Sequence, residues 1–188
     1  MIDLTGLASL EPFKRRLAFA GRLRRALGPQ QALTSQPIVV GGAALEFYST
    51  GGYSTQDLDL ILSDARPAFV LLEQAGFQRQ DRYAFHTPLD LLVEFPGKAL
   101  PHGPTAYERV LEVSVAGEQA LVIGIEDLLI GRLHAAVIEG RANDAKWARE
   151  MILLHHQAID WAALALLAHG EGPAVARYLA SLRQEVAP

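Results

Sequence analysis

The chain has no cysteine among its 188 residues, and that absence removes disulfides, thiolate nucleophiles and cysteine-ligated zinc or iron–sulfur centres. It suits a reducing compartment. Long apolar runs are missing as well. No stretch reaches the roughly 20 apolar residues of a membrane span; the nearest, from Ile159 to Leu167, is short and carries Asp160. The opening MIDLTGLASLEPFKRRLAFA is broken by polar and charged residues too early for a secretory signal. Internal repeats and low-complexity tracts are also lacking. Together these absences predict a cytoplasmic protein with no membrane contact. Because 50% of the residues are hydrophobic, it should bury a genuine core.

Charge is spread unevenly. Residues 1–36 carry six basic residues against two acidic ones, residues 37–125 five against eleven, and residues 126–188 six against eight. An acidic middle is what a cation-binding site would produce. The cluster Lys14, Arg15, Arg16, Arg22, Arg24 and Arg25 reads first as a solvated helix face, and second as a contact for the phosphates of RNA or for an acidic partner protein.

Hydrophobic periodicity organises the chain. From Leu10 to Leu27 apolar residues recur at three- and four-residue intervals, which predicts a helix ended by Gly28-Pro29. Pro37 to Val40 is a short β-branched run stopping at Gly41-Gly42, as for a buried strand entering a tight turn, and Ala43 to Tyr48 begins a helix. In Asp57 to Leu62 the residues Leu58, Leu60 and Leu62 alternate with Asp57, Asp59 and Ile61, so both carboxylates project from one face of a strand. Pro67 to Ala75 predicts a helix closed by Gly76. Arg82 to His86 and Leu89 to Phe95 predict a hairpin, and Val110 to Val115 with Gln119 to Ile123 two further strands. The stretch richest in breakers holds Pro96-Gly97 and Pro101-His102-Gly103-Pro104, and from Ile125 onward the pattern is helical. The resulting architecture is α/β (α+β). Residues 1–124 form a mixed-sheet core of about four to six strands with flanking helices, and residues 125–188 form a helical C-terminal unit closing one side of a cleft.

Two carboxylates one residue apart on a strand repel each other unless a cation sits between them. Oxygen-only donors suit magnesium, which keeps several waters and takes one or two protein carboxylates together with phosphate oxygens. Gly41-Gly42 supplies a complementary half, because glycine backbone leading into a helix start presents N–H groups to a phosphate without a Cβ in the way. Ser54 and Thr55 add hydroxyl donors just before Asp57. Each element alone is commonplace; their order and spacing make the signal. Elsewhere the readings are bland. His155-His156 lacks a third ligand at metal spacing, no Ser-His-Asp arrangement is legible around Ser49, Ser54 or Ser63, and Trp147 and Trp161 read as core anchors.

The run VGGAALEFYSTGGYSTQDLDLIL resembles the signature of the nucleotidyltransferase superfamily typified by the polymerase-beta palm, in which a strand ends in Gly-Gly or Gly-Ser and the next strand carries Asp-x-Asp. It is most similar to small bacterial members, including abortive-infection and toxin–antitoxin nucleotidyltransferases. The resemblance implies a polymerase-beta-like fold with a third carboxylate on a neighbouring strand. In LDLLVEFPG, Asp90 matches the family's apolar-Asp-apolar pattern, and Glu94, on the same face, is the alternative. The choice depends on whether this strand runs parallel or antiparallel to the Asp57 strand, and in what register. The family's helical tail is echoed by EDLLIGRLHAAVIEGRANDAKWA, which keeps Asp127, Leu128, Arg141 and Asp144. It places Arg132 at the usual lysine position and Trp147 at the second acidic one. Arg132 is then a candidate clamp on a triphosphate.

The activity implied is transfer of a nucleoside monophosphate from a nucleoside triphosphate such as ATP to a hydroxyl of RNA, protein or a small molecule, releasing pyrophosphate. Two magnesium ions, replaceable by manganese, would be held by Asp57, Asp59 and Asp90, while Gly41, Gly42, Ser54 and Thr55 bind phosphate. The same resemblance admits a different class of function: a catalytically idle nucleotide-binding or interaction module, such as one half of a toxin–antitoxin pair. The oligomeric state stays open.

Overall fold

The apolar stripe near the N-terminus becomes helix α1, Pro12–Leu27, with proline in its first turn and Gly28 at its end, where φ is 101°, a conformation that favours glycine. The computed structural model describes residues 1–29 and 31–186, and the chain divides into two compact units, Met1–Ile123 and Gly124–Pro188.

In the first unit α1 is followed by β1 (Ile38–Val39), α2 (Gly41–Tyr48), β2 (Asp57–Ile61), α3 (Arg66–Gln74), β3 (Gln78–Gln80), β4 (Tyr83–His86), β5 (Leu91–Glu94), β6 (Leu111–Val115) and β7 (Glu118–Val122). The strands form one seven-stranded mixed sheet in the order β3-β4-β5-β2-β1-β7-β6. β1 runs antiparallel to β2 and parallel to β7, and β2 runs parallel to β5. β3–β4, β4–β5 and β6–β7 pair antiparallel. The seventh strand exceeds the expected four to six. Part of the surplus is β3, whose residues Gln78, Arg79 and Gln80 are all exposed and carry no apolar alternation to betray a strand.

Alternation on β2 decides which face is which. Leu58 and Leu60 are fully buried, as are Ala84 and Val93 paired beside Leu58, while Asp57 and Asp59 are half-buried on the other face. Aromatic contacts tie the helices into the core. Phe69 of α3 meets Phe95 edge-on at 4.9 Å, and Phe19 of α1 lies 5.2 Å from Phe77. The expected hairpin forms, with β4 antiparallel to β5, but its connection is longer, because Thr87–Leu89 forms a 3-10 turn with Pro88 near its start and Asp90 ends it in the left-handed region (φ 48°, ψ 51°). β5 therefore begins at Leu91, not Leu89.

The basic residues of α1 all have partners within the fold, although Lys14 and Arg25 stay exposed. Arg16 forms a buried ion pair with Glu46. Arg22 and Arg25 both reach Glu118, Arg24 reaches Glu112 at 2.6 Å, and Lys14 lies 3.5 Å from Glu11. Arg15 donates from Nη1 to the Leu89 carbonyl at 2.6 Å.

The second unit is helical: α4 (Ile125–Val137), α5 (Ala142–His155), α6 (Trp161–Glu171) and α7 (Pro173–Glu185). Glu126 and Asp127 occupy the first turn of α4, where the helix dipole favours negative charge. Asp160 caps α6 by accepting from the Ala162 and Ala163 N–H groups at 3.0 Å, and Glu126 Oε1 accepts the Asp160 N–H at 2.8 Å. Leu129, Ile130, Leu133, Leu164 and Val175 are buried. The two tryptophans are half-buried, not core anchors. Trp161 donates from Nε1 to the His156 carbonyl at 2.9 Å, with the Arg183 guanidinium 5.0 Å from its ring centre. Among the described residues no helix is long and apolar enough to cross a membrane.

Candidate metal centre

The carboxylate face of β2 exists because Leu58 and Leu60, which alternate with the aspartates, are drawn into the core. The parallel neighbour β5 then determines what joins them. Its register sets Leu92 opposite Asp57 and Glu94 opposite Asp59, so Glu94 shares the aspartates' face. One carboxylate oxygen from each of Asp57, Asp59 and Glu94 lies within 4.8 Å of the other two.

Asp90 does not join this group. In a parallel register it falls two residues before Leu92, outside the strand and roughly 6–7 Å short of Asp57 along the strand direction, and it is exposed in its left-handed turn. The family-like pattern around Asp90 thus falls on a carboxylate outside the cluster that the geometry forms. The geometry places the alternative, Glu94, beside the pair.

Each carboxylate has its own anchor. The Thr55 hydroxyl donates to Asp57 Oδ1. The Gly42 N–H and the Glu94 side chain both hydrogen-bond to Asp59. Arg82 Nε lies 2.8 Å from Glu94 Oε1, and Arg82 Nη2 donates to the Tyr83 hydroxyl at 2.9 Å. Burial, then the negative charges of Asp57 and Glu94, push the Asp59 carboxyl up to about 6; the Gly42 N–H partly offsets them.

The glycines leave room for the groups around them. Gly41 has φ of 58°, and a Cβ there would overlap the Asp59 carboxylate; a Cβ on Gly42 would meet Thr55 Oγ1 at 2.8 Å. Both positions are bare, so Asp59 and Thr55 pack against the start of α2, and the Gly42 N–H hydrogen-bonds to Asp59. Ser54 is exposed in the loop entering β2. Arg132 lies in the helical unit, where its Nη1 donates to Asp144 at 2.7 Å.

This donor set fits a divalent cation. It offers oxygens only, from three strand-borne carboxylates that remain partly open to solvent, and one of them, Asp59, has its carboxyl raised by burial and then by the like charges beside it. Arg82 and the pairing of Tyr83 with Glu94 had no signal in the sequence, since both depend on the register of β4 against β5.

No protein-family model matches the chain, and no curated protein sequence matches it. Among solved structures it is similar to an antigenic nucleotidyltransferase-like protein from Paracoccidioides brasiliensis, with 15% identity, a TM-score of 0.63, and coverage of 93% of this chain and 88% of that one. At that identity the likeness speaks for the fold. The chain has an α/β, nucleotidyltransferase-like fold, a mixed sheet with flanking helices.

Proposed function

We propose that this chain is a metal-dependent nucleotidyltransferase, moving a nucleoside monophosphate from a nucleoside triphosphate to an acceptor hydroxyl and releasing pyrophosphate. The observation that carries this reading is the convergence of Asp57, Asp59 and Glu94 beside the glycine turn that opens α2. Asp57, Asp59 and Glu94 would hold magnesium or manganese. Such ions, when bound, stabilise charge on a phosphoryl group in transfer and lower the pKa of an attacking hydroxyl.

The chain's own residues orient the site. Thr55, Gly42 and Arg82 each fix one carboxylate, so the oxygens are arranged before any ligand arrives. Ser54 and the backbone at Gly41 are the groups assigned to the triphosphate. In the reaction the acceptor oxygen bonds to the α-phosphorus, the bond from that phosphorus to the bridging oxygen of pyrophosphate breaks, and the hydroxyl proton leaves to solvent.

The test incubates the protein with each radiolabelled nucleoside triphosphate, magnesium or manganese, and total RNA and protein extract, beside an Asp57→Asn/Asp59→Asn control. Label transferred by the wild type alone supports the reading and identifies the acceptor as nucleic acid or protein. Magnesium-dependent nucleotide binding with no transfer to any acceptor replaces it with the idle binding module.

A further inference from the structure

A second set of groups lies away from the carboxylates, on the opposite face of the sheet. Arg79 pairs with Ala84, Ala84 with Val93, and Val93 with Leu58, so Arg79 shares the face of Leu58, whereas Asp57, Asp59 and Glu94 share the other. On the Arg79 side is a depression of about 510 Å³ lined in part by Ser63, Asp64, Arg66, Phe69, Arg79 and Lys98.

The chemistry of this depression is specific. The Arg79 guanidinium carbon sits 3.9 Å from the centre of the Phe69 ring, and its Nε donates to the Asp81 carbonyl at 3.2 Å. Phe69 is buried and braced by Phe95. The guanidinium is thus held from beneath while the residue remains exposed, a cationic plane arranged in advance. Lys98 and Arg66 are exposed beside it. Among the described lining residues Asp64 is the one opposing charge. It is gripped by Arg66 through Nε at 2.9 Å and Nη2 at 2.7 Å, so three cations face one carboxylate. The arginines of α1, by contrast, are engaged by internal partners.

A fixed guanidinium plane is a surface on which a nucleobase stacks, and flanking lysine and arginine charges suit the phosphates on either side of that base. We propose that this depression binds single-stranded nucleic acid, with a base on the Arg79–Phe69 stack and the adjoining phosphates on Lys98 and Arg66. The site goes beyond the nucleotidyltransferase reading and does not depend on it. In it Asp64 acts as an internal competitor, occupying Arg66 until a phosphate arrives.

The test is fluorescence anisotropy of a labelled short oligouridylate with the full chain, in chelator and without nucleoside triphosphate, so that failure here is separate from failure of the carboxylate reading. Arg79→Ala/Lys98→Ala is expected to weaken binding about tenfold. It should also flatten the slope of log K against log salt by about 0.7 for each phosphate that the variant no longer neutralises. Asp64→Asn is expected to tighten binding about threefold, because it removes the opposing charge. Urea denaturation of the Arg79→Ala/Lys98→Ala variant should closely match wild type, which shows that the fold is intact. Unchanged oligouridylate affinity in either variant overturns the proposal. So does competition by polyglutamate as strong as that of unlabelled oligouridylate at equal charge, which would make the depression a surface for acidic polypeptide.

Discussion

Replacing Asp59 by asparagine should stabilise the metal-free protein at neutral pH, against the usual expectation for a substitution inside a site. In the folded chain the Asp59 carboxyl titrates at about 6 instead of 3.8, through burial and the charges of Asp57 and Glu94. A difference of about two pH units corresponds to about 3 kcal/mol, and water reaching the partly open carboxyl reduces this to about 1–2 kcal/mol. Because the folded value is the raised one, this stabilising contribution is complete below about pH 3.8 and is lost as pH climbs through about 6. The amide introduced by Asp59→Asn keeps an oxygen for the Gly42 N–H and donates to Glu94, as the protonated acid does, and carries no charge to lose.

Urea denaturation in chelator, comparing wild type and variant from about pH 4 to about pH 7.5, measures the effect. The variant should be more stable by about 1–2 kcal/mol at the upper end, with the difference shrinking toward pH 4. Magnesium should reverse the order, since only the wild type gains binding free energy, about 2.7 kcal/mol at a hundredfold excess over Kd. A variant no more stable than wild type at pH 7.5 in chelator, or a difference that does not change with pH, refutes the electrostatic account of the cluster.

Three further outcomes follow from the geometry. Glu94→Gln should weaken manganese binding about tenfold while Asp90→Asn changes it little, as followed by manganese electron paramagnetic resonance; the reverse order would restore Asp90 as the third ligand. Gly41→Ala should cost about 1–3 kcal/mol in urea denaturation and also weaken manganese binding, because a side chain at a φ of 58° is strained and its Cβ displaces Asp59. Glu46→Ala should cost about 3–5 kcal/mol by leaving Arg16 charged and buried. Arg16→Met/Glu46→Leu should cost much less, and equal destabilisation of the two variants in urea would show that the ion pair is not what the position depends on.

The common side of Asp57 and Asp59, the helix stripe of α1 and the breaks at Gly28 and at Gly41-Gly42 were legible in the chain itself. Periodicities of two and of 3.6 residues and the backbone freedom of glycine are local properties, readable without knowing what lies opposite. β3 was not legible, because an exposed edge strand of glutamine and arginine buries nothing and leaves no pattern. Nor could the chain choose between Asp90 and Glu94, which share a parity. That Glu94 lies beside the pair came from β5 lying parallel to β2 with Glu94 opposite Asp59, a register set by packing between segments more than thirty residues apart. The same holds for charge. The basic run of α1 looked free until the fold brought Glu46, Glu112 and Glu118 to it, while Arg79 acquired its setting from Phe69 of α3, on an edge strand that sequence patterning did not predict. Which residues are acidic, basic or glycine is written in the chain; which of them meet is a matter of long-range register and burial, which only the tertiary structure decides.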